Sequence, residues 1–135
     1  MSDNPLPPAV IELTLVIPAA NDHIRFARLM ASAVAARVGC DFDTIENLRI
    51  AVSELCTTVT GDAASGELTL TYRGDTDGVR ISGHATRGPG SLGPDVPGEL
   101  TRQILDAVAD EHTIELGPAG ASFTLLVRAP ASPAT

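Results

Sequence analysis

The chain has 135 residues, of which 44% are hydrophobic and 3% aromatic, so it can form the core of one domain from aliphatic side chains. Its formal net charge of −8 argues against broad binding to nucleic acid or to a membrane surface, because both require a basic face. No segment approaches the roughly 20 apolar residues of a membrane-spanning helix, and we expect a cytoplasmic protein.

The first predicted elements are a strand and a helix. Residues 1–8 are polar and proline-rich, so we expect a disordered leader. Residues 9–17 are β-branched and partly alternating, which is typical of a strand. Asn21 or Asp22 can cap a helix that runs to about Arg37. The apolar residues with helical spacing in this segment are Ile24, Ala27, Leu29, Met30, Ala33 and Val34.

A second helix is predicted to begin at Asp41 or Asp43 and to end near Gly61. Asp43 with Glu46 is close to a capping box, a pattern in which two side chains satisfy free backbone N–H groups of the first turn. The apolar stripe of this helix consists of Ile45, Leu48, Val52, Leu55, Cys56 and Val59.

The two cysteines of the chain are Cys40, at the predicted end of the first helix, and Cys56, inside the second. Their spacing matches neither a zinc site nor the disulfide framework of a small scaffold. We therefore expect two reduced and largely buried thiols and no metal site.

The second half of the chain begins with a predicted hairpin and a loop. Residues 67–73 and 79–82 alternate apolar with polar side chains on either side of a turn, which predicts an antiparallel hairpin. Residues 87–98 contain four glycines and three prolines, so no regular element is expected there.

A third helix over residues 99–109 and two strands over residues 112–116 and 122–127 complete the pattern, before a disordered tail over residues 129–135. The apolar positions of the helix are Leu100, Ile104, Leu105 and Val108. This order of elements predicts an α+β domain over residues 9–128. We expect a two-layer sandwich in which helices cover one face of a mostly antiparallel sheet.

The second helix carries the most specific signal. Its sequence IENLRIAVSELCTTV, residues 45–59, resembles the first nucleotide-binding helix of the anti-sigma factor serine kinases of Gram-positive bacteria (RsbW-like proteins), which have the histidine-kinase-type, or Bergerat, ATPase fold. In that family a Glu acts as the base on the attacking hydroxyl, and an Asn four residues later holds Mg²⁺. The resemblance places Glu54 at the base position and Thr58 at the Asn position, where a hydroxyl is a poorer metal ligand than an amide oxygen.

The other nucleotide-binding elements match the family less well. The family's Asp that reads the adenine amino group corresponds to His84 or Ala85. Gly98 keeps the first position of a Gly-x-Gly motif beside the phosphates, but the second glycine is lost and Glu99 brings negative charge near the triphosphate. The resemblance therefore implies a degenerate ATP site at Thr58, His84 and Gly98, with at most weak binding of ATP and Mg²⁺.

Residues 18–39 are similar without gaps to the family's first helix. In the family, the residue that matches Arg28 contacts both the sigma factor and the anti-anti-sigma protein, and Arg25, one turn earlier, would extend the same patch. The resemblance implies a homodimer that binds and sequesters an alternative sigma factor. An anti-anti-sigma (STAS-type) protein would release that sigma factor by competing for the surface around Arg28.

Two alternatives compete with this hypothesis. An active protein serine kinase would use Glu54 to phosphorylate the anti-anti-sigma protein with Mg-ATP. An adaptor with a lapsed ATP site would bind a partner other than a sigma factor. Taken without the resemblance, Glu54 and Arg28 are ordinary charged residues of helix surfaces and His84 is an ordinary strand-end residue.

Overall fold

The computed structural model describes residues 10–61, 66–86, 97–118 and 120–130. The predicted leader, most of the predicted tail and residues 87–96 of the predicted loop lie outside the described residues. None of the described helices is long and apolar enough to cross a membrane. The elements are β1 (Ile11–Pro18), a 3-10 turn (Asn21–His23), α1 (Ile24–Arg37), α2 (Phe42–Thr60), β2 (Glu67–Asp75), β3 (Gly78–Thr86), α3 (Glu99–Val108), β4 (Glu111–Leu116) and β5 (Gly120–Arg128).

The five described strands form one antiparallel sheet in the order β1-β2-β3-β5-β4. The hairpins β2–β3 and β4–β5 are those that the sequence predicts. β5 pairs with β3, so β4 becomes one edge of the sheet. β1 pairs with β2 and forms the other edge.

The helices cover one face of this sheet. Alternate strand residues point to the helix layer, as do Leu70 in β2, Ile81 in β3 and Phe123 in β5, all of which are buried. Their neighbours along the strands, such as Arg80 and Thr124, are exposed. Alternation of this kind is typical of an antiparallel sheet with one solvated face. The predicted α+β two-layer architecture is confirmed.

α1 packs on the sheet through small residues. Ala27 and Ala31 are fully buried, and short side chains let the helix backbone come close to the strands. The hydroxyl of Tyr72 in β2 accordingly donates a hydrogen bond to the carbonyl oxygen of Ala27 at 3.0 Å. The predicted apolar stripe is wrong at Leu29, which is 64% exposed, and at Ala33, which is also exposed. The buried face runs through Ile24, Ala27, Ala31, Val34 and Ala35 instead.

α2 begins at one of the two predicted caps. The Oδ1 atom of Asp41 accepts a hydrogen bond from the backbone N–H of Thr44 at 2.8 Å. Hydrogen bonding from the Thr44 side chain, and next from its backbone N–H, lowers the pKa of Asp41 from its usual value. Glu46 bonds to Arg49 at 3.1 Å instead of completing a capping box with Asp43. The predicted apolar stripe of α2 is buried, apart from a partly buried Ile45.

β3 is longer than the predicted strand over residues 79–82. It runs through Gly83, where a Cβ atom would overlap the ring of Phe123, so this glycine serves close packing and does not mark a turn. The apolar face predicted for α3 is wrong at Leu100, which is 70% exposed. The reason is that α3 reaches the core through its later turns, at Leu105 and Val108.

Candidate functional site

Glu54 lies where α2 meets α3. Its side chain is partly buried, and its Oε2 atom accepts a hydrogen bond from the hydroxyl of Thr101 in α3 at 3.4 Å. The base position of the resemblance is therefore occupied by a carboxylate in contact with the helix that follows Gly98.

Thr58 lies one turn after Glu54 on the same face of α2. Its hydroxyl donates a hydrogen bond to the carbonyl oxygen of Glu54 at 2.8 Å, a local bond that threonine often makes within a helix. The hydroxyl proton is committed to the backbone, and a single neutral oxygen is left to meet any ligand. The structure brings Glu54 and Thr58 together, as the resemblance implies for this pair.

Gly98 is the N-cap residue of α3, with φ −63° and ψ 154°. These angles are open to any residue, and a Cβ atom at this position would meet no described atom within 4 Å. Glu99 follows in the first turn of the helix, where its carboxylate interacts favourably with the helix dipole. The same carboxylate would repel a phosphate approaching the N-terminus of α3.

His84 and Ala85 lie on opposite faces of β3. His84 is exposed on the face turned away from the helices, whereas Ala85 is 1% exposed and belongs to the core between sheet and helices. The structure therefore does not bring His84 together with Glu54, Thr58 and Gly98. On the helix side of β3 lies the methyl group of Ala85, which cannot accept a hydrogen bond.

The described residues of this region do not fit a metal-bound triphosphate. They offer the carboxylates of Glu54 and Glu99 and the hydroxyl of Thr58, so the fixed charge is negative. The chain contains no lysine, and within the described residues no group of three or more His, Cys, Asp and Glu side chains could hold a metal ion. Glu54 keeps a carboxylate, which accepts the hydrogen bond of the Thr101 hydroxyl.

A second cluster of polar side chains lies between α1 and α2. The Nη1 atom of Arg28 donates a hydrogen bond to the hydroxyl oxygen of Ser53 at 3.3 Å. Beside this bond is a cavity of about 340 Å³, which we call the α1–α2 groove. It is lined by Arg28, Glu46, Arg49, Ile50, Ser53 and Glu54.

Arg25 is exposed on α1. Its guanidinium carbon lies 5.1 Å from the centre of the Phe26 ring, a cation–π arrangement that orients the side chain along the helix surface. Arg25 does not line the α1–α2 groove. The structure thus places the two predicted partner-binding arginines on one helix and only Arg28 in the groove.

Three residues of these two clusters were not predicted from the sequence: Thr101, Ser53 and Ile50. Ser53 interrupts the apolar pattern of α2 next to Glu54, but only the pairing of α1 with α2 makes it a partner of Arg28. Ile50 lies outside the predicted stripe and is 43% exposed, so an isoleucine on the polar side of an amphipathic helix is the signal that could have identified it.

Both cysteines are free thiols. Cys56 is buried, and burial raises its pKa to about 12 despite the opposing charge of Arg28. Cys40 is partly buried, and burial followed by the charge of Asp41 raises its pKa as well. Because the thiolate is the reactive form, Cys56 is an inert core residue at neutral pH.

Comparison with known proteins assigns the fold to a family. The model of the histidine kinase-like ATPase domain matches residues 17–120. The chain belongs to the histidine kinase-like ATPase domain family. This match contains α1, α2 and α3, and with them every residue of the two clusters described above.

The relatives of this histidine kinase-like ATPase domain include serine-protein kinases. RsbW of Listeria innocua is 36% identical over 81 residues, which covers 56% of the chain and 52% of the relative. RsbW of Bacillus velezensis is 42% identical over 55 residues, or 41% of the chain and 34% of the relative. The chain spans about half or less of the length of these curated relatives. The resemblance to the RsbW-like family is confirmed.

A solved structure shares the fold. The crystal structure of the RsbU and RsbW domains of Rv1364c from Mycobacterium tuberculosis matches 93% of this chain and 35% of that one, with a TM-score of 0.67 and 22% identity. At that identity the similarity is one of architecture, and it supports the two-layer arrangement of sheet and helices.

Proposed function

We propose that this protein is an anti-sigma factor that binds an alternative sigma factor and keeps it from core RNA polymerase. The observation that carries the proposal is Arg28, a partly buried guanidinium of α1 held by the hydroxyl of Ser53 at 3.3 Å. It lies on the helix that the resemblance assigns to partner contact. The similarity to proteins named RsbW supports the same kind of partner.

The proposal includes release of the sigma factor by an anti-anti-sigma protein of the STAS type, which competes for the surface around Arg28 and Arg25. It also includes a homodimer as the form that binds the sigma factor. The cytoplasm, where RNA polymerase works, is the proposed place of action. The support for these features is the resemblance alone.

ATP-dependent activity is proposed to be weak or absent. The support is chemical: Ala85 offers no acceptor to adenine, Glu99 adds negative charge at the N-terminus of α3, and Thr58 replaces an amide with a hydroxyl. These three differences weaken the contacts to adenine, to the phosphates and to the metal ion separately. Retention of the Glu54 carboxylate alone therefore does not restore nucleotide binding.

The test is an affinity pull-down from the host lysate, with the recovered proteins identified by mass spectrometry. Arg28→Glu is run in parallel, and Arg37→Glu is the matched control because Arg37 is an exposed arginine of the same helix. We expect a sigma factor with the wild type and with Arg37→Glu, but not with Arg28→Glu. Recovery of a different protein, with no sigma factor in stressed or unstressed cells, would establish the adaptor function instead.

An active protein serine kinase is the second candidate, and the retained Glu54 carboxylate beside α3 favours it. It requires Mg-ATP binding, which calorimetry measures directly. A dissociation constant well above about 1 mM corresponds to less than about 4 kcal/mol of binding free energy and would exclude the kinase. Phosphotransfer to an anti-anti-sigma protein that is lost in Glu54→Ala would establish it.

A further inference from the structure

We infer that the solvated face of the sheet carries a binding site for a small organic carboxylate, which Arg73 and Arg80 hold between them. The site is a cavity of about 360 Å³ at the end of the sheet where β2 turns into β3, and we call it the arginine cavity. It is lined by the β2–β3 turn together with Arg73, Arg80, Leu126, Arg128, Ala129 and Pro130. The helices cover the opposite face of the sheet, so this site lies apart from the surfaces of the proposed function.

Two like charges oppose each other at the arginine cavity. Arg73 and Arg80 are direct partners across the β2–β3 hairpin, and both are exposed on the face turned away from the helices. Like charges directly opposite each other destabilise a sheet. An anion between the two guanidinium groups replaces this repulsion by two attractions, and the planar fork of an arginine matches the two oxygens of a carboxylate.

Arg80 has no acidic neighbour in the part of the chain that the structure describes, where no carboxylate oxygen lies within 4 Å of its guanidinium. Arg128 differs, because it lies 2.9 Å from Glu111. Arg73 lies 3.5 Å from Glu12, which is longer than the roughly 2.7 to 2.9 Å of a hydrogen bond between charged groups. The donors of Arg80, and in part those of Arg73, are therefore available to a ligand.

One wall of the arginine cavity is apolar. Leu126 is 6% exposed, although it lies between Arg80 and Glu111 on the solvated side of the sheet and is not part of the core under the helices. Ala129 and Pro130 extend this wall. The cavity volume falls at the lower end of the range of about 300 to 1,000 Å³ that is typical of small-molecule sites, which combine apolar walls with a few polar groups.

The charges that line the arginine cavity indicate the charge of its ligand. Three arginines and two aspartates, Asp75 and Asp77, sum to one positive charge in a chain whose net charge is −8. Asp75 lies 3.8 Å from Arg73, and its Oδ1 atom accepts a hydrogen bond from the backbone N–H of Asp77 at 2.9 Å. A phosphate dianion would bring a second negative charge close to these aspartates. A monoanion with an apolar body, as in a small organic carboxylate, fits both the charge and the apolar wall.

The experiment titrates the isotope-labelled full chain with phenylacetate at constant ionic strength. Nuclear magnetic resonance follows the backbone amides of residues 76–78 and the side-chain N–H groups of the arginines. Acetate carries the charge without the apolar body, and phenylacetamide carries the body without the charge. We expect saturable shifts with half-saturation at about 1 to 10 mM phenylacetate, and at least about fivefold weaker binding of acetate and of phenylacetamide.

Arg80→Gln should raise the dissociation constant of phenylacetate about tenfold. Arg80→Lys should have an intermediate effect, because an ammonium group keeps the charge but not the planar fork. Arg102→Gln is the matched control and should stay within about twofold of the wild type, because Arg102 is an exposed arginine of α3 in the helix layer. Without ligand, Arg80→Gln should unfold at the same urea concentration as the wild type or at a higher one, since it removes one of two opposed charges.

Wild-type affinity in Arg80→Gln would overturn the assignment to Arg80, and equal weakening in Arg102→Gln would show that overall charge attracts the anion. Equal affinities for acetate and phenylacetate would overturn the role of the apolar wall. No saturable shift at residues 76–78 below about 50 mM phenylacetate would overturn the site. A lower urea midpoint of unliganded Arg80→Gln would mean that Arg80 serves the fold and not a ligand. None of these outcomes affects the proposed function, whose test variants lie on α1.

Discussion

The hydroxyl of Thr101 donates a hydrogen bond to the carboxylate of Glu54 across 3.4 Å, and this bond joins α3 to α2. α3 packs on the core through Leu105 and Val108, and polar contacts supplement this packing. A second such contact connects the imidazole of His112 in β4 with Asp106 in α3 at 2.9 Å. Glu54, the residue that the resemblance places at the base position, therefore contacts the helix that follows it in the fold.

Thr101→Val should loosen α3. The lost bond is long and partly buried, so we expect a decrease in the free energy of unfolding of about 0.5 kcal/mol and faster amide hydrogen exchange in residues 99–108. Glu54→Gln keeps an acceptor oxygen and should behave like the wild type. Thr57→Val, at an exposed position of α2, is the control, and unchanged exchange in α3 of Thr101→Val would contradict the structural role.

A carboxylate introduced at position 85 should destabilise the fold. Ala85→Asp places a charge in the core with no described partner, at a cost of about 3 kcal/mol or more, measured by urea denaturation at neutral pH. Burial raises the pKa of such an Asp, so the loss should shrink as the pH falls and the carboxyl is protonated. His84→Asp, one residue earlier on the exposed face, should change stability by less than about 0.5 kcal/mol, and equal losses would refute the assignment of faces.

Replacement by alanine should be costly at one glycine and tolerated at another. At Gly83 a Cβ atom would overlap the ring of Phe123, so Gly83→Ala should cost about 2 to 3 kcal/mol in the free energy of unfolding. At Gly98 the backbone angles are ordinary and no described atom is near, so Gly98→Ala should shift stability by less than about 1 kcal/mol. A tolerated Gly83→Ala would mean that the ring of Phe123 can move aside.

Stability should fall in alkaline solution through Cys56. Burial raises the pKa of this thiol from 9.0 to about 12, whereas the unfolded thiol loses its proton above the lower value. Between those values the folded state binds more protons, so the free energy of unfolding decreases as the pH rises, by up to about 1.4 kcal/mol per pH unit.

Urea denaturation from about pH 8 to pH 11 measures this slope. Cys56→Ala should be less stable at neutral pH but should lose less stability on alkalinisation. The pKa of Tyr72 is also raised, by burial and then by the charge of Cys56, so the slopes of the two proteins are compared below about pH 10, where an unfolded tyrosine keeps its proton. Cys40→Ala is the control, since Cys40 is only partly buried, and identical slopes for the wild type and Cys56→Ala would contradict the assignment.

Much of the fold could be predicted from local patterns. The apolar stripe of α2, its cap at Asp41 and the two hairpins follow from periodicity and turn residues that act within a few positions of one another. α1 could not be predicted in the same way, because apolar side chains occur on more than one side of the helix. The fit to Tyr72 and the other strand residues decides in favour of Ala27 and Ala31 over Leu29.

The candidate site was predictable only where the resemblance supplied it. Glu54 and Thr58 share a helix face, so their proximity follows from spacing. Which of His84 and Ala85 faces the helices depends on strand register, since a shift by one residue moves a side chain to the opposite face of the sheet. The contact between Arg28 and Ser53 joins residues 25 positions apart, and such a contact exists only once α1 packs against α2.

Ser53 and Glu54 are consecutive residues of α2, yet Ser53 bonds to α1 and Glu54 bonds to α3. A rotation of α2 that improved one contact would therefore disturb the other. If partner recognition fixes the rotation of α2 through Arg28, it also fixes the placement of Glu54, whether or not any phosphate is transferred. Selection for a docking surface alone would thus also preserve the placement of Glu54, independently of any selection for catalysis.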